Sequence, residues 1–151
     1  MRVFAILLSL LASPSTAWDV TTGAICVLED QQSGVAVTLT YDPEGPLYSI
    51  TVTTPTPWAD GPVFAIAFLG ANPLQITTNQ HVLSEDKRAV TVVDRGFDNV
   101  LNGMEFNTTA IASLAGREVA FDLQAVDDPM QPFKNCAPQP LAQIGPVQSY
   151  G

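Results

Sequence analysis

Side chains for metal and acid–base chemistry are scarce in this 151-residue sequence, which has one histidine and two cysteines. A catalytic zinc usually takes two or three histidines, so His81 alone excludes most zinc sites, and there is no His-Glu-x-x-His pair. A serine hydrolase would need His81 as its base, yet no Gly-x-Ser-x-Gly elbow occurs and the nearest serine, Ser84, sits in a charged turn. His81 therefore reads as an exposed or capping residue, with pH sensing as its functional alternative. Positive charge is equally scarce, with 6 lysines and arginines against 15 acids and a net charge of -9. A phosphate backbone needs more cations than Lys87, Arg88, Arg95, Arg117 and Lys134 supply, so nucleic acid is excluded as a partner. Long apolar runs are missing after the first dozen residues. The longest, Val63 to Leu69, is framed by Pro62 and Gly70 and is far too short to span a bilayer.

The sequence does have an apolar beginning. Met1 and Arg2 give a short positive start, Val3 to Ala12 run almost unbroken apolar, and Pro14 ends any helix ahead of Ser15-Thr16-Ala17. Small residues at 15 and 17 predict a cleavable export leader over residues 1–17, with the mature chain starting at Trp18. Its apolar run is about half the roughly twenty residues that a membrane anchor needs. Export to an oxidising compartment gives the cysteines a meaning. No Cys-x-x-Cys pair points to redox chemistry, and Cys26 with Cys136 is the one disulfide available. An intermolecular bridge or two free thiols are the competing readings. If closed, the loop covers most of the mature chain and stabilises by at most about 4–5 kcal/mol on a chain-entropy argument.

The remainder reads as short strands. Val35 to Tyr41 and Leu47 to Thr53 alternate apolar with polar residues around the turn Asp42-Pro43-Glu44-Gly45-Pro46, which predicts an antiparallel pair with one wet face. Thr54 to Pro62 holds too many prolines to continue a strand. Val63 to Leu69, Leu74 to Thr78, His81 to Leu83 and Ala89 to Val93 read as further strands, and Arg117 to Val126 as another with Val119, Phe121 and Leu123 on one face. Phe97 to Phe106 fits neither period. Thr108 or Thr109 caps an expected short helix through Leu114, ended by Gly116, and Asp127 or Asp128 with Pro129 starts a second that buries Met130 and Phe133. The expected fold is mainly β: an antiparallel β-sandwich or small barrel of six to eight strands with one or two short helices. It forms a single domain over residues 18–136, followed by a loosely ordered tail over 137–151.

Three features compete for a functional role. Trp58, set among prolines, is the candidate binding residue, because an aromatic on a stiff loop loses little entropy on anchoring a partner; the weightier alternative is that it folds back over the core. Asp94-Arg95-Gly96-Phe97-Asp98-Asn99 offers oxygen ligands but lacks the spacing and closing glutamate of a calcium loop. Asn107-Thr108-Thr109 matches a glycosylation acceptor, a pattern of use only in a eukaryotic secretory route. No cofactor or metal is expected.

Trp18-Asp19-Val20, the early Cys26, and the stretch from Val119-Ala120-Phe121-Asp122-Leu123 to Phe133-Lys134-Asn135-Cys136 carry a resemblance. The chain resembles, at its two ends, the invasion-associated locus B family of small exported bacterial proteins. The resemblance implies a periplasmic or envelope-associated β-sandwich without established catalysis, associated with host-cell invasion in some members. The expected function is that of an exported, periplasmic or secreted, non-enzymatic envelope protein that binds a protein or envelope component or serves structurally. The alternative is a small acidic hydrolase or carbohydrate-active enzyme using paired carboxylates.

Overall fold

A computed structural model describes residues 17–136; residues 1–16, which hold nearly all of the expected leader, and the expected tail at 137–151 lie outside the described residues. Two hairpins show how local sequence sets the fold. Strands β2 (Cys26–Gln32) and β3 (Val35–Asp42) are joined by Ser33 and Gly34, both at positive φ (38° and 84°). Strands β9 (Asn107–Leu114) and β10 (Arg117–Asp122) are joined by Ala115 and Gly116 in the same way (52° and 80°). Two central residues at positive φ make the turn whose twist matches that of the flanking strands, and glycine takes the second position without steric cost.

The other elements are β1 (Asp19–Thr21), β4 (Leu47–Thr53), β5 (Phe64–Gly70), β6 (Leu74–Thr78), β7 (Val82–Leu83), β8 (Ala89–Asp94) and the helices α1 (Asp98–Glu105) and α2 (Asp127–Lys134). They form two antiparallel sheets, one ordered β1-β2-β3-β4-β8-β7 and the other β10-β9-β5-β6. The sheets stay separate, so the architecture is the sandwich and not the barrel. Arg117, at the start of β10, donates from Nη1 to the Thr56 and Pro57 carbonyls that follow β4, while Asp122, at its end, exchanges hydrogen bonds with the Gln32 side chain at the end of β2. The smaller sheet therefore crosses the strands of the larger one instead of running along them.

Alternation buries one face of each strand. Leu28, Val37, Leu39, Ile50, Val52 and Val90 line the inner face of the larger sheet, and Phe64, Ile66, Phe68, Ala110, Ala112 and Phe121 face them from the smaller, in one contiguous core. The outer face of the larger sheet carries hydroxyls instead. Thr40 pairs with Ser49 and Thr51 with Thr91 across strands. The expected helix from Thr108 to Leu114 is not formed: these residues belong to β9, which pairs with β5 on one side and β10 on the other. Strands β1 and β2, absent from the expectation, bring the total among the described residues to ten. The ambiguous Phe97–Phe106 stretch resolves as α1, which buries Val100, Leu101 and Met104.

Gly103 in α1 lies so close to Phe68 that a Cβ there would sit 2.4 Å from the ring. The helix can lie directly against β5 only because this position has no side chain. Helix α2 begins at Asp127-Asp128 as expected, buries Met130 and Phe133, and leads to Cys136, which is bonded to Cys26 with a Cα–Cα separation of 6.4 Å. Both cysteines are thus accounted for by one intramolecular bridge.

Candidate functional site

Strand β7 is only two residues long and pairs with Val90 and Thr91, whereas β4 on the other side pairs with all of β8. Among the described residues, Val92 to Asp94 therefore have no strand neighbour on the open side. The cause lies in the connection from β6, where three residues carry the chain from one sheet to the other. His81 holds this link in place, its Nε2 3.0 Å from the Gly61 carbonyl and its ring packed at 6.2 Å from Phe64. The two sheets consequently part at this corner, and α1 closes the cleft from below.

The cleft has a volume of about 220 Å³. The larger sheet contributes Ile50, Val92 and Asp94 to its wall, the smaller Phe64, Ile66, Ile76, Thr77 and Thr78, and the entry into α1 contributes Gly96, Phe97, Asn99 and Val100. Its floor is aliphatic and aromatic, and its polar groups gather at the mouth. There it joins a wider hollow of about 490 Å³ that shares Thr77, Thr78 and Asp94 and adds Val63, Asn79 and Gln80. Concave apolar walls with a few placed polar groups are the usual form of a small-molecule site, and this one is smaller than the roughly 300–1,000 Å³ such sites usually have.

Among the described residues, Asp94 is the only charged one in the wall of the deeper cleft. Its Oδ1 accepts the Arg95 backbone N–H at 2.6 Å, and among the described residues nothing else bonds its carboxylate. Phe97 links the cleft to the rest of the core by stacking on Tyr48 (5.5 Å between centroids, 14° between planes). Burial chiefly, with the neighbouring Tyr41 and Asp98, pushes the Tyr48 hydroxyl above its ordinary pKa. Asp98 sits in the first turn of α1, where its charge complements the positive end of the helix.

Trp58 does not form part of a surface site. Its ring is 1% exposed, packed edge-on to Phe64 at 6.5 Å and covered by the Arg117 guanidinium 4.8 Å above it. Of the two readings of Trp58, candidate anchor and the weightier core residue, its burial fits the second, and Arg117 seals the residue beneath a cation–π contact. Trp58 Nε1 and His81 Nδ1 are both buried and have no hydrogen-bond partner among the described residues. Trp18 packs as well, its Nε1 donating to the Asp122 carbonyl at 3.1 Å. Asn107 is 7% exposed and spends its amide on the Asn72 and Gly103 carbonyls (2.8 and 2.9 Å), so the glycosylation pattern falls on a buried, occupied side chain.

Acidic residues also gather at a second hollow. Asp19, Glu29 and Asp30 line a shallow depression on the β1–β2 side, where Asp30 is taken up by the Gln31 backbone N–H and the Gln32 amide, both at 2.8 Å. Among the described residues no group of three His, Cys, Asp or Glu is arranged to hold a metal ion. Likewise, none of the described helices is long and apolar enough to cross a membrane. Comparison with known protein families, with curated proteins and with solved structures finds no match to this chain. Sequence reasoning singled out Asp94 to Asn99, of which Asp94, Gly96, Phe97 and Asn99 line the cleft, but only as a poor calcium loop, and it missed the cleft as a whole. The remaining wall residues come from separate strands and a helix start, and each looks in sequence like ordinary core or turn.

Proposed function

We propose that this protein is an exported binding module, working in the periplasm or outside the cell, that takes a small ligand in the cleft between β6, β8 and α1 and catalyses no reaction. The observation that carries the reading is the cleft itself: an apolar floor under a polar mouth, at a corner the sheets leave open. Export is supported by the apolar leader at the start of the sequence and by the Cys26–Cys136 bridge, a bond that persists in oxidising compartments. The single carboxylate in the cleft wall supports binding over hydrolysis, since glycoside chemistry needs two facing each other. The residues that carry the invasion-associated locus B resemblance lie at the two ends of the chain, where Cys26 meets Cys136 and Trp18 meets Asp122. From that family we carry over location and fold alone.

A thermal-shift screen of small apolar compounds against the oxidised mature protein tests the reading, run in parallel on Val92→Phe, which fills the cleft. Compounds that stabilise the parent and not the variant are the expected result. A screen in which no compound stabilises the parent, or in which hits act equally on Val92→Phe, would contradict it. Fractionation of cells expressing the full chain should place it outside the cytoplasm with Trp18 as its first residue.

A further inference from the structure

We infer that the cleft selects a small primary amine carrying one compact apolar group, the ammonium resting against Asp94 and the apolar group on the floor formed by Ile50, Ile66, Ile76 and Val92. This rests on the proposed binding role of the cleft and adds the chemical class of what it binds. Size sets the apolar part. A cavity of about 150 Å³ takes a benzene molecule, so a cleft of about 220 Å³ has room for a phenyl ring and a two-carbon tether.

Charge sets the head group. Asp94 stands where the deep cleft meets its wider mouth, and it borders both. One of its oxygens is held by the Arg95 N–H, which fixes the carboxylate, and the other is left to accept from a ligand. No lysine or arginine among the described residues lines either space, and the whole chain carries a charge of -9, so the potential at the mouth favours a cation. The remaining groups around Asp94, namely Thr77, Thr78, Asn79, Gln80 and Asn99, are neutral and can accept the other ammonium protons. The start of α1 pulls the other way, because its first N–H groups are without a side-chain cap. Asp98 in that first turn offsets the pull, and Asp94 adds a second negative charge close by.

Three probes of one shape separate the possibilities: 2-phenylethylammonium, 2-phenylethanol and 3-phenylpropionate, titrated into methyl-labelled protein at neutral pH and low salt. The expected result is that the ammonium binds about fivefold more tightly than the alcohol, as for a partly exposed ion pair, and shifts the Ile76 and Val92 methyl signals. In Asp94→Asn, which keeps an oxygen for the Arg95 N–H, the ammonium should fall to the affinity of the alcohol while the alcohol is unchanged. Equal binding of ammonium and alcohol, or a preference that survives Asp94→Asn, would overturn the amine assignment and leave the cleft as a binding site for neutral ligands. Tightest binding by the carboxylate would overturn it in favour of the α1 N-terminus. Failure of all three probes to move the cleft methyls would overturn both the amine assignment and the binding role itself.

Discussion

At the scale of single residues, the contrast between Trp58 and Asp94 is instructive. Trp58 drew attention because a tryptophan among prolines is conspicuous, yet its ring belongs to the core and its loop serves to bring it there. Trp58→Ala should therefore cost about 3–5 kcal/mol in urea unfolding, the cost of an emptied core site, while any surface role would leave stability unchanged. Asp94 stood out in sequence only as part of a stretch that lacks calcium-loop spacing, and its position beside a gap in the strand pairing gives it a different setting. Glu105 provides a pH test. The Lys134 ammonium hydrogen bond, helped by the Gln131 amide and opposed by burial, holds its carboxyl below the ordinary value of 4.5. A carboxyl with a lowered folded pKa stabilises the fold above its unfolded value, and that contribution is lost as pH falls through the lowered one. Glu105→Gln should thus be about 1 kcal/mol less stable than the parent at neutral pH. The difference should close progressively below pH 4.5 when melting is followed against pH.

At the scale of elements, what could be read depended on how decisive the side chains were. β3, β4, β5 and β8 alternate bulky with small or polar residues, and their bounds were legible to within a residue or so. β9 was not, because Thr108-Thr109-Ala110-Ile111-Ala112-Ser113-Leu114 is built of small residues that suit either period. Gly116 added to the misreading, since a helix end and a two-residue hairpin both ask for positive φ at that place. The Ser33-Gly34 pair between Gln32 and Val35 was a usable signal for the missed β2, but the charged Glu29 and Asp30 hid the strand's apolar face. Asn107 is where α1 is fixed to the start of β9, through bonds to Asn72 and Gly103. Asn107→Ala leaves those carbonyls unpaired and should cost about 2–3 kcal/mol in denaturant unfolding. Gly103→Ala should cost about as much or more, because its new methyl meets the Phe68 ring.

At the scale of the molecule, a small two-sheet core is closed by a long covalent loop, and the corner where β7 stops short of Val92 to Asp94 becomes the cleft. The bridge spans 110 residues of sequence, so replacing both cysteines with alanine should lower stability by up to about 4–5 kcal/mol. Intact mass should show the mature protein lighter than its reduced form by two hydrogens. The cleft lies at the β4–β8 side of the larger sheet and the bridge at the β2 side, with β3 between them. Ligand binding should accordingly survive the loss of the disulfide at temperatures where the variant stays folded.

The most direct test of the account is a methyl NMR titration of the mature, oxidised protein with 2-phenylethylammonium and its uncharged alcohol, reading every isoleucine, leucine and valine signal at once. The account predicts saturable shifts centred on Ile50, Ile66, Ile76, Val92 and Val100, with the core methyls of Leu28 and Leu39 unmoved. Shifts centred on exposed Val82 and Ile25, or no saturable shifts with either compound, would contradict the claim that this corner of the sandwich is its binding site.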